Sequence, residues 1–347
     1  IWGADEPIYS WCPLRTLTYT EESLNMMRGN LLYRMSRENM ETQPPSGKCI
    51  TEPTIAADFP TWHTCSELGY TGYAEDYPVA RVPIREGIMW TDGVPFTATD
   101  IDFTFDAILD KATGGYAYAD YYHILVDVVA NDTYTVDFIL YEPDYDFAAY
   151  NAHNWGLGWV PYHQMKDVPH SEWRSHPTAF DPYPVSMGGQ GLECIGPFVP
   201  VDWVPDVMLK FVRYDVYMRE YRKTPLPTYS WSDYYWSKEG WGTQLYKNYM
   251  IKWIPDAADR LLALQKLEVD DCGYPTAPID TWKAMEGDPK FRVFTYPYCS
   301  SNPLWLNLQN EILSNRYVRL AIAHAIPYQK IYDILPGWGI AKAYPGK

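Results

Sequence analysis

Residues 84–105 read IREGIMWTDGVPFTATDIDFTF, and this run leaves the backbone few options. Asp92-Gly93 is a strong turn signal, because glycine accepts positive φ without steric cost. Pro95 follows, and then Thr97 with Asp100 three residues later, the pattern of a capping box that satisfies two free N–H groups at a helix start. Beyond the cap, Ile101, Phe105, Ile108 and Leu109 fall on one stripe of a helix. The segment is therefore expected to be a strand reaching to the turn (VARVPIREGIMWTDG), a tight corner and a helix. Asp100 and Asp102 read as helix-start charges favoured by the dipole rather than as a catalytic pair.

The rest of the chain alternates between helical and strand periods. EESLNMMRGNLLYRM, residues 21–35, places Leu24, Met27, Leu31 and Leu32 at helical spacing. Residues 41–80 favour loops and short edge strands. LVDVVANDTYTVDFILYEP is the clearest hairpin, with a turn at Asn131-Asp132 and Tyr134, Val136, Phe138 and Leu140 on one face. Residues 142–191 show only weak periodicity. GGQGLECIGPFVPVDWVPDVMLKFVRY gives a Gly-rich loop and two strands, and its glycines match neither GxGxxG nor the P-loop, which excludes a phosphate cradle. From 251, IKWIPDAADRLLALQKLEVDDCG reads as strand, helix with an Ala257–Leu261–Leu264 face, and strand. DTWKAMEG reads as a helix, FRVFTYPY and PLWLNLQN as strands, and SNRYVRLAIAHAI as a helix capped by Ser314 or Asn315. Such alternation is an α/β signature.

Composition narrows the function. A chain of 347 residues is expected to form two or three domains. Its formal net charge of −16 argues against nucleic acid, whose phosphates demand a basic face. It contains no run of 18 apolar residues, and no charged-then-apolar leader stands at Ile1, so the sequence reads as a mature product or one made without a signal peptide. The 31 Tyr, 15 Trp and 11 Phe can fill large cores and can also line a cleft whose rings stack on a polar ligand. None of the six cysteines has CxxC or CxxH spacing, so no zinc site is expected. Cys49 and Cys65 flank a loop-like segment and could close a local disulfide in an oxidising compartment. Asn131-Asp132-Thr133 is a glycosylation sequon, relevant only to an exported protein. His153, His163 and His170 lie in loop-like sequence without a metal-ligand pattern. No Ser-His-Asp or Cys-His signature stands out, and no cofactor is implied.

The opening run also carries a resemblance. Arg85, Gly87, Trp90, Asp92, Gly93, Pro95, Thr97, Ala98 and Asp100 stand where family 5 extracellular solute-binding proteins show their most recognisable segment. These are the dipeptide, oligopeptide and nickel receptors of ABC importers. Further blocks follow in the family's order: VANDTYTVDFILYEP, IGPFVPVDWVPDVMLKFVRYDVY, WIPDAADRLLALQKLEVD and PLWLNLQNEILSNRYVRLAIAHAI. Tyr214 follows Arg213 where the family usually has asparagine, and Pro327-Tyr328 replaces its usual aspartate.

What the resemblance implies is an α/β, two-lobed periplasmic-binding-protein-like fold (type II, cluster C) with mixed sheets and an extra subdomain in lobe one. Lobe one would comprise residues 1–40 and 151–250, with the inserted subdomain at 41–150 and a partial lobe two at 251–347. The hinge would lie at Lys252, Trp253, Ile254 and Pro255. Tyr19 and Glu21 would contact ligand from lobe one, Met187 and Gly188 would line the mouth, and Tyr298, Trp305 and Asn307 would face the cleft from lobe two. The implied partners are a small-molecule ligand and the membrane permease of an ABC importer, and the implied location is extracellular, periplasmic or cell-surface attached. Family members are longer. The fold is thus expected to be incomplete at the C-terminus, the sequence being a portion of a longer protein or one completed by another chain. The acid that clamps the peptide amino terminus in peptide-binding members falls in that remaining part.

An oligopeptide held by backbone hydrogen bonds is the expected ligand, with an oligosaccharide stacked on Trp and Tyr faces as the alternative. A secreted carbohydrate-active enzyme would instead need two carboxylates roughly 5 to 10 Å apart, with Asp202, Asp206, Glu193 and Glu268 as candidates. A scaffold or assembly protein derived from a binding-protein fold is the third option. The expectation is a binding protein, not an enzyme.

Overall fold

The computed structural model describes residues 1–6, 8, 10–12, 33–37, 49–53, 55–114, 123–144, 158–196, 198–214, 247–272, 279–291 and 304–334. The chain divides into two compact units. The first comprises Ile1–Ser36 and Ile50–Pro275, and the second comprises Arg37–Cys49 and Thr276–Lys347.

One layer of the first unit is a mixed five-stranded sheet. Its strands are β1 (Trp2–Ala4), β8 (Phe198–Val204), β9 (Met208–Arg213), β10 (Asn248–Trp253) and β11 (Asp271–Cys272), in the order β11-β1-β10-β9-β8. β1 runs parallel to both β10 and β11, whereas β8, β9 and β10 are antiparallel neighbours. Helix α4 (Ala257–Gln265) carries the chain from β10 to β11, and parallel strands need such a crossover. One side of the sheet buries Ala4, Trp11, Phe198, Leu209, Phe211 and Ile251 together, and a second cluster joins Val199, Val212 and Tyr214.

The second sheet of this unit is antiparallel, in the order β4-β5-β7-β6, from β4 (Thr61–Thr64), β5 (Pro78–Pro83), β6 (Leu125–Asp132) and β7 (Thr135–Leu140). Helix α2 (Ala98–Leu109) belongs to the core on one face, where Ala80, Val82, Ile101, Phe105, Val136, Phe138 and Leu140 are buried in one cluster. The rings of Phe105 and Phe138 meet edge to face at 5.4 Å. The opposite face buries Val79 and Ile139 with Cys65, which opens the short helix α1 (Cys65–Leu68). β7 is therefore buried on both faces, beyond the one-faced alternation its sequence suggests. This forces the fully buried Asp137 to find partners, and Arg81, directly opposite on β5, supplies bonds of 2.8 and 2.6 Å. The Tyr70 hydroxyl donates a third at 2.7 Å.

Several local expectations need correction. The hairpin turn falls at Thr133-Tyr134, because Asp132 still pairs with Thr135 and Asn131-Asp132 complete β6. β5 stops at Pro83 rather than reaching the Asp-Gly turn; residues 84–96 continue as isolated bridges, Ala56 to Ile84 and Met89 to Pro95. Tyr33–Met35, expected in a helix, belong to β2 (Tyr33–Arg37), which pairs with β3 (Cys49–Pro53); residues 21–32 lie outside the described residues. The 304–307 part of PLWLNLQN is not a strand and leads into turns. In α4 Arg260 and Ala263 are fully buried, and Ala257, Leu261 and Leu264 of the expected face are half-buried. Cys65 is a free thiol directed into the Val79–Ile139 cluster, so the Cys49–Cys65 disulfide is not formed. Burial pushes that thiol's pKa up.

The second unit contains α5 (Ile279–Glu286), α6 (Arg316–Ala325) and α7 (Tyr328–Ile334). Asn315 caps α6, its side chain accepting from the Tyr317 N–H at 2.9 Å. No residue of α6 is buried. FRVFTYPY lies outside the described residues beyond Phe291.

Candidate functional site

The corner at 84–97 is built as its sequence demands, and it anchors much of the first unit. Gly93, at φ 95°, donates to the Trp90 carbonyl at 2.8 Å, and the Trp90 N–H returns to Val94 O at 2.8 Å. Asp92 serves two ends: one carboxylate oxygen accepts from the Val94 N–H at 3.0 Å, and the other sits 2.8 Å from His163 Nε2. Burial pulls the His163 pKa down, but the hydrogen bond and charge of Asp92, with Asp100 and Glu193 behind it, leave it raised overall. Trp90 and Phe96 are fully buried, and the Tyr214 hydroxyl of the five-stranded layer donates to the Met89 carbonyl at 3.0 Å.

The capping box at Thr97 and Asp100 forms as expected, with the Thr97 N–H donating to Asp100 at 2.8 Å. Sequence reasoning missed how much else Asp100 does. Its other oxygen accepts from the Tyr162 N–H at 2.9 Å, pinning α3 (Tyr162–Met165) to the start of α2. Burial raises the Asp100 pKa against the opposing pull of those two N–H groups. A capping signature in a sequence shows the local bond and nothing of the distant one.

Glu193 has the same character. It is buried beside the Gly-rich loop, where the Ser186 N–H and hydroxyl donate to it at 2.7 and 2.8 Å and the Thr91 hydroxyl donates as well. The Glu193 and Cys194 N–H groups reach Gln164 and Thr91 in turn, at 3.1 and 3.0 Å. Burial raises its pKa, opposed by the donors on Thr91 and Ser186. Weighed from sequence as a glycosidase carboxylate, Glu193 is instead a tie between three segments. Asp202 stands within β8, Asp206 occupies the β8–β9 turn at φ 58°, and Glu268 lies exposed beyond α4.

This wiring fixes the loop that carries Met187 and Gly188. Pro184 and Gly191 form a bridge, and the Gly191 N–H donates to Tyr183 O at 2.8 Å. A Cβ at Gly189 or Gly191 would fall 2.3 Å from a carbonyl oxygen, so the close approach of the two arms requires glycine. Gly188, at φ 88°, ends a single 3₁₀ turn, Val185–Met187. No atom lies near the position a Cβ would take there, so this glycine is needed for its backbone angle alone. Met187 is half-buried against the Val199–Val212–Tyr214 cluster.

The other sequence-predicted residues fall elsewhere. Tyr19, Glu21 and Tyr298 lie outside the described residues. Trp305 is 86% exposed in the second unit. Asn307 is exposed too, its side chain accepting from the Gln309 N–H at 2.9 Å in a local turn. Lys252 and Trp253 end β10, and Ile254 and Pro255 follow it within the first unit. The Ile254 N–H donates to Ala4 O at 2.9 Å, and the buried Arg260 guanidinium donates to the carbonyls of Ile254 and Pro255 at 2.8 and 2.7 Å. Among the described residues, no group of three or more His, Cys, Asp or Glu converges as a metal site would. None of the helices there is long and apolar enough to cross a membrane.

Comparisons with known proteins agree with this architecture. NikZ from Campylobacter jejuni, solved in complex with Ni(L-His), matches 96% of the chain at 17% identity with a TM-score of 0.61. The periplasmic binding protein DppA from Helicobacter pylori, solved with the peptide STSA, matches 96% at 19% identity with a TM-score of 0.59. The oligopeptide-binding protein AppA from Bacillus subtilis, solved with a nonapeptide, matches 77% at 18% identity with a TM-score of 0.52. The chain spans about half of each of these structures, 54%, 57% and 42% of their respective lengths, and its fold is that of the two-lobed α/β binding proteins. No curated protein matches it. The family model described as "Bacterial extracellular solute-binding proteins, family 5 Middle" matches residues 72–345, and the chain belongs to that family.

Proposed function

We propose that this chain is the ligand-capturing component of an ABC importer, held outside the membrane, and that it takes an oligopeptide by lobe closure and delivers it to the membrane permease. The observation that carries this reading is the family match over residues 72–345. AppA and DppA, both solved with peptides, support the peptide class. In this reading the wired loop presents Met187 and Gly188 at the mouth as a preformed rim, because a rim that is already ordered loses little entropy on binding. Trp305 and Asn307, with Tyr19, Glu21 and Tyr298, supply the remaining contacts. The segment Lys252–Pro255 forms the anchored side of the hinge, since Ala4 and Arg260 hold its backbone.

The test is native mass spectrometry of the protein as isolated, followed by denaturation and fragmentation of what is released. Release of a set of short peptides, with rebinding of a synthetic copy, is the expected result. Release of sugars, opine-like conjugates or a metal chelate, with no rebinding of peptides, would overturn the peptide assignment and leave the receptor role standing. Turnover of a glycan, lost on Glu193→Gln, would overturn the receptor role as well.

A further inference from the structure

Three consecutive residues of α3 each hold a different part of the first unit. The Tyr162 N–H donates to Asp100 at the start of α2, at 2.9 Å. His163 Nε2 stands 2.8 Å from Asp92 on the 84–97 corner. The Gln164 side chain reaches the Gly-rich loop twice: its amide donates to the Gly191 carbonyl at 3.0 Å, and its oxygen accepts from the Glu193 N–H at 3.1 Å. Met165 closes the turn inside the core. Four residues thus join a corner, a helix start and a loop that lie far apart in sequence.

The charge at this junction is one-sided. Asp100 and Glu193 are both 3% exposed, and among the described residues every hydrogen bond donated to them comes from a neutral group, on Thr97 and Tyr162 for the first and on Thr91 and Ser186 for the second. Neutral donors offset only part of the cost of burying a carboxylate. The titratable groups that act on His163 are Asp92 from the corner, Asp100 from α2 and Glu193 from the loop. On its own element, the Lys166 ammonium is turned to the Tyr162 ring, 5.9 Å from its centre. A protonated His163 therefore places one positive charge among three carboxylates, and a neutral one withdraws it. The side chain is 28% exposed, so protons reach it without unfolding.

We propose that α3 is a proton-operated clasp: with His163 protonated it holds the corner, the start of α2 and residues 184–194 together, and loss of that proton loosens the 184–194 segment. The device belongs to the fold of the first unit and stands apart from what the chain carries. It makes the order of the segment bearing Met187 and Gly188 a function of pH. Burial pulls the His163 pKa down, but the bond and charge of Asp92, with Asp100 and Glu193, leave it above its ordinary value of about 6.5. A base raised in the folded state contributes fully below its unfolded value, and that contribution is lost as pH rises through the folded one. The clasp is thus tight in mild acid and weaker in mild alkali. Burial raises Asp100 and Glu193 as well, against the donors that hold them, so they act in the same direction.

Hydrogen exchange of the whole chain, read by mass spectrometry on peptides spanning 184–194 and corrected for the intrinsic pH dependence of exchange, tests this. Protection there should fall in the parent between about pH 6 and about pH 9, and fall about tenfold further than in His163→Gln, the order expected for one charge-assisted hydrogen bond. Glutamine keeps an N–H donor for Asp92 and cannot titrate. His170→Gln removes a second imidazole paired with an aspartate, Asp110 at 2.8 Å, and should keep the parent's fall. The imidazole Cε1 proton resonance that His163→Gln deletes should titrate above the ordinary value. Equal falls in the parent and His163→Gln, a level parent curve, or titration of that resonance below the ordinary value would each overturn the proposal. Should His163→Gln fail to fold, Asp92→Asn, which leaves an oxygen for the Val94 N–H, takes its place with the same tenfold difference expected.

Discussion

Helices α2 and α6 are both capped and both carry an apolar stripe, yet one is buried and the other is not. In α2, Ile101, Phe105 and Ile108 are enclosed, and even Asp100 and Thr104 are buried and bonded. In α6, Val318 and Ile322 are half-exposed at best, and Tyr317 and Leu320 are open at 79% and 43%. The same periodicity, read from sequence, signals a helix in both. Whether the stripe stabilises anything depends on what packs against it, because a helix of this length is marginal alone and draws most of its stability in a protein from tertiary packing. Four substitutions would sharpen or break this contrast.

The largest effect belongs to Phe138→Ala. Phe138 is 1% exposed and touches the ring of Phe105 from β7, so removal leaves a cavity walled by both the sheet and α2. A loss of about 3 to 5 kcal/mol is expected, seen as a lower urea midpoint with unchanged slope. A loss below about 1 kcal/mol, the ordinary range for a surface change, would show that α2 is not seated as described.

Next comes a pH effect on the polar side of α2. Asp102 accepts from the Ala130 N–H at 3.1 Å, and its pKa is raised to about 6, first by burial and then by Asp106 and Asp127, against the opposing pull of that N–H. A carboxyl whose folded pKa exceeds its unfolded one binds protons better in the native state. Its contribution is thus fully present below the unfolded value of about 4 and lost as pH rises through about 6. Asp102→Asn keeps an oxygen for Ala130 and removes the titration. The parent chain should lose urea resistance relative to this variant between those two pH values, and the gap should stay constant above the upper one. Parallel curves for the two proteins across the whole range would refute the burial of Asp102.

These cases show where the sequence was legible. The corner at 84–97 was readable because each bond in it is local: Asp-Gly sets a turn, and threonine with aspartate three residues on sets a cap. The strand–helix–strand from β10 to β11 was readable from its periods. The long-range duties of Asp100, Glu193 and Asp137 were not, because nothing within a few residues of each marks the partner sixty or a hundred residues away. Asp137 even sits at a position where alternation predicts a solvent-facing polar residue. It is buried because α1 and the tyrosines that follow it, Tyr70, Tyr73 and Tyr77, cover the second face of the sheet. Of the expected ligand contacts, Met187 and Gly188 were placed by their neighbour block, and the structure adds the reason the loop holds its shape.

The smallest effect tests α6 itself. Tyr317→Ala removes a large ring from the first turn of the helix, but one that is 79% exposed and whose N–H, not its side chain, receives the Asn315 cap. Alanine also has the better helix propensity, so little is lost and a few tenths of a kcal/mol can be gained. The unfolding free energy read from urea titration should therefore change by no more than about 0.5 kcal/mol in either direction, the range of surface substitutions away from caps and cores. Asn315→Ala, which deletes the cap, should cost about 1 kcal/mol of local helix stability, read by amide exchange in residues 316–320. If Tyr317→Ala proved the more damaging of the two, the ring would be packed in solution and α6 would have joined α2 among the covered helices.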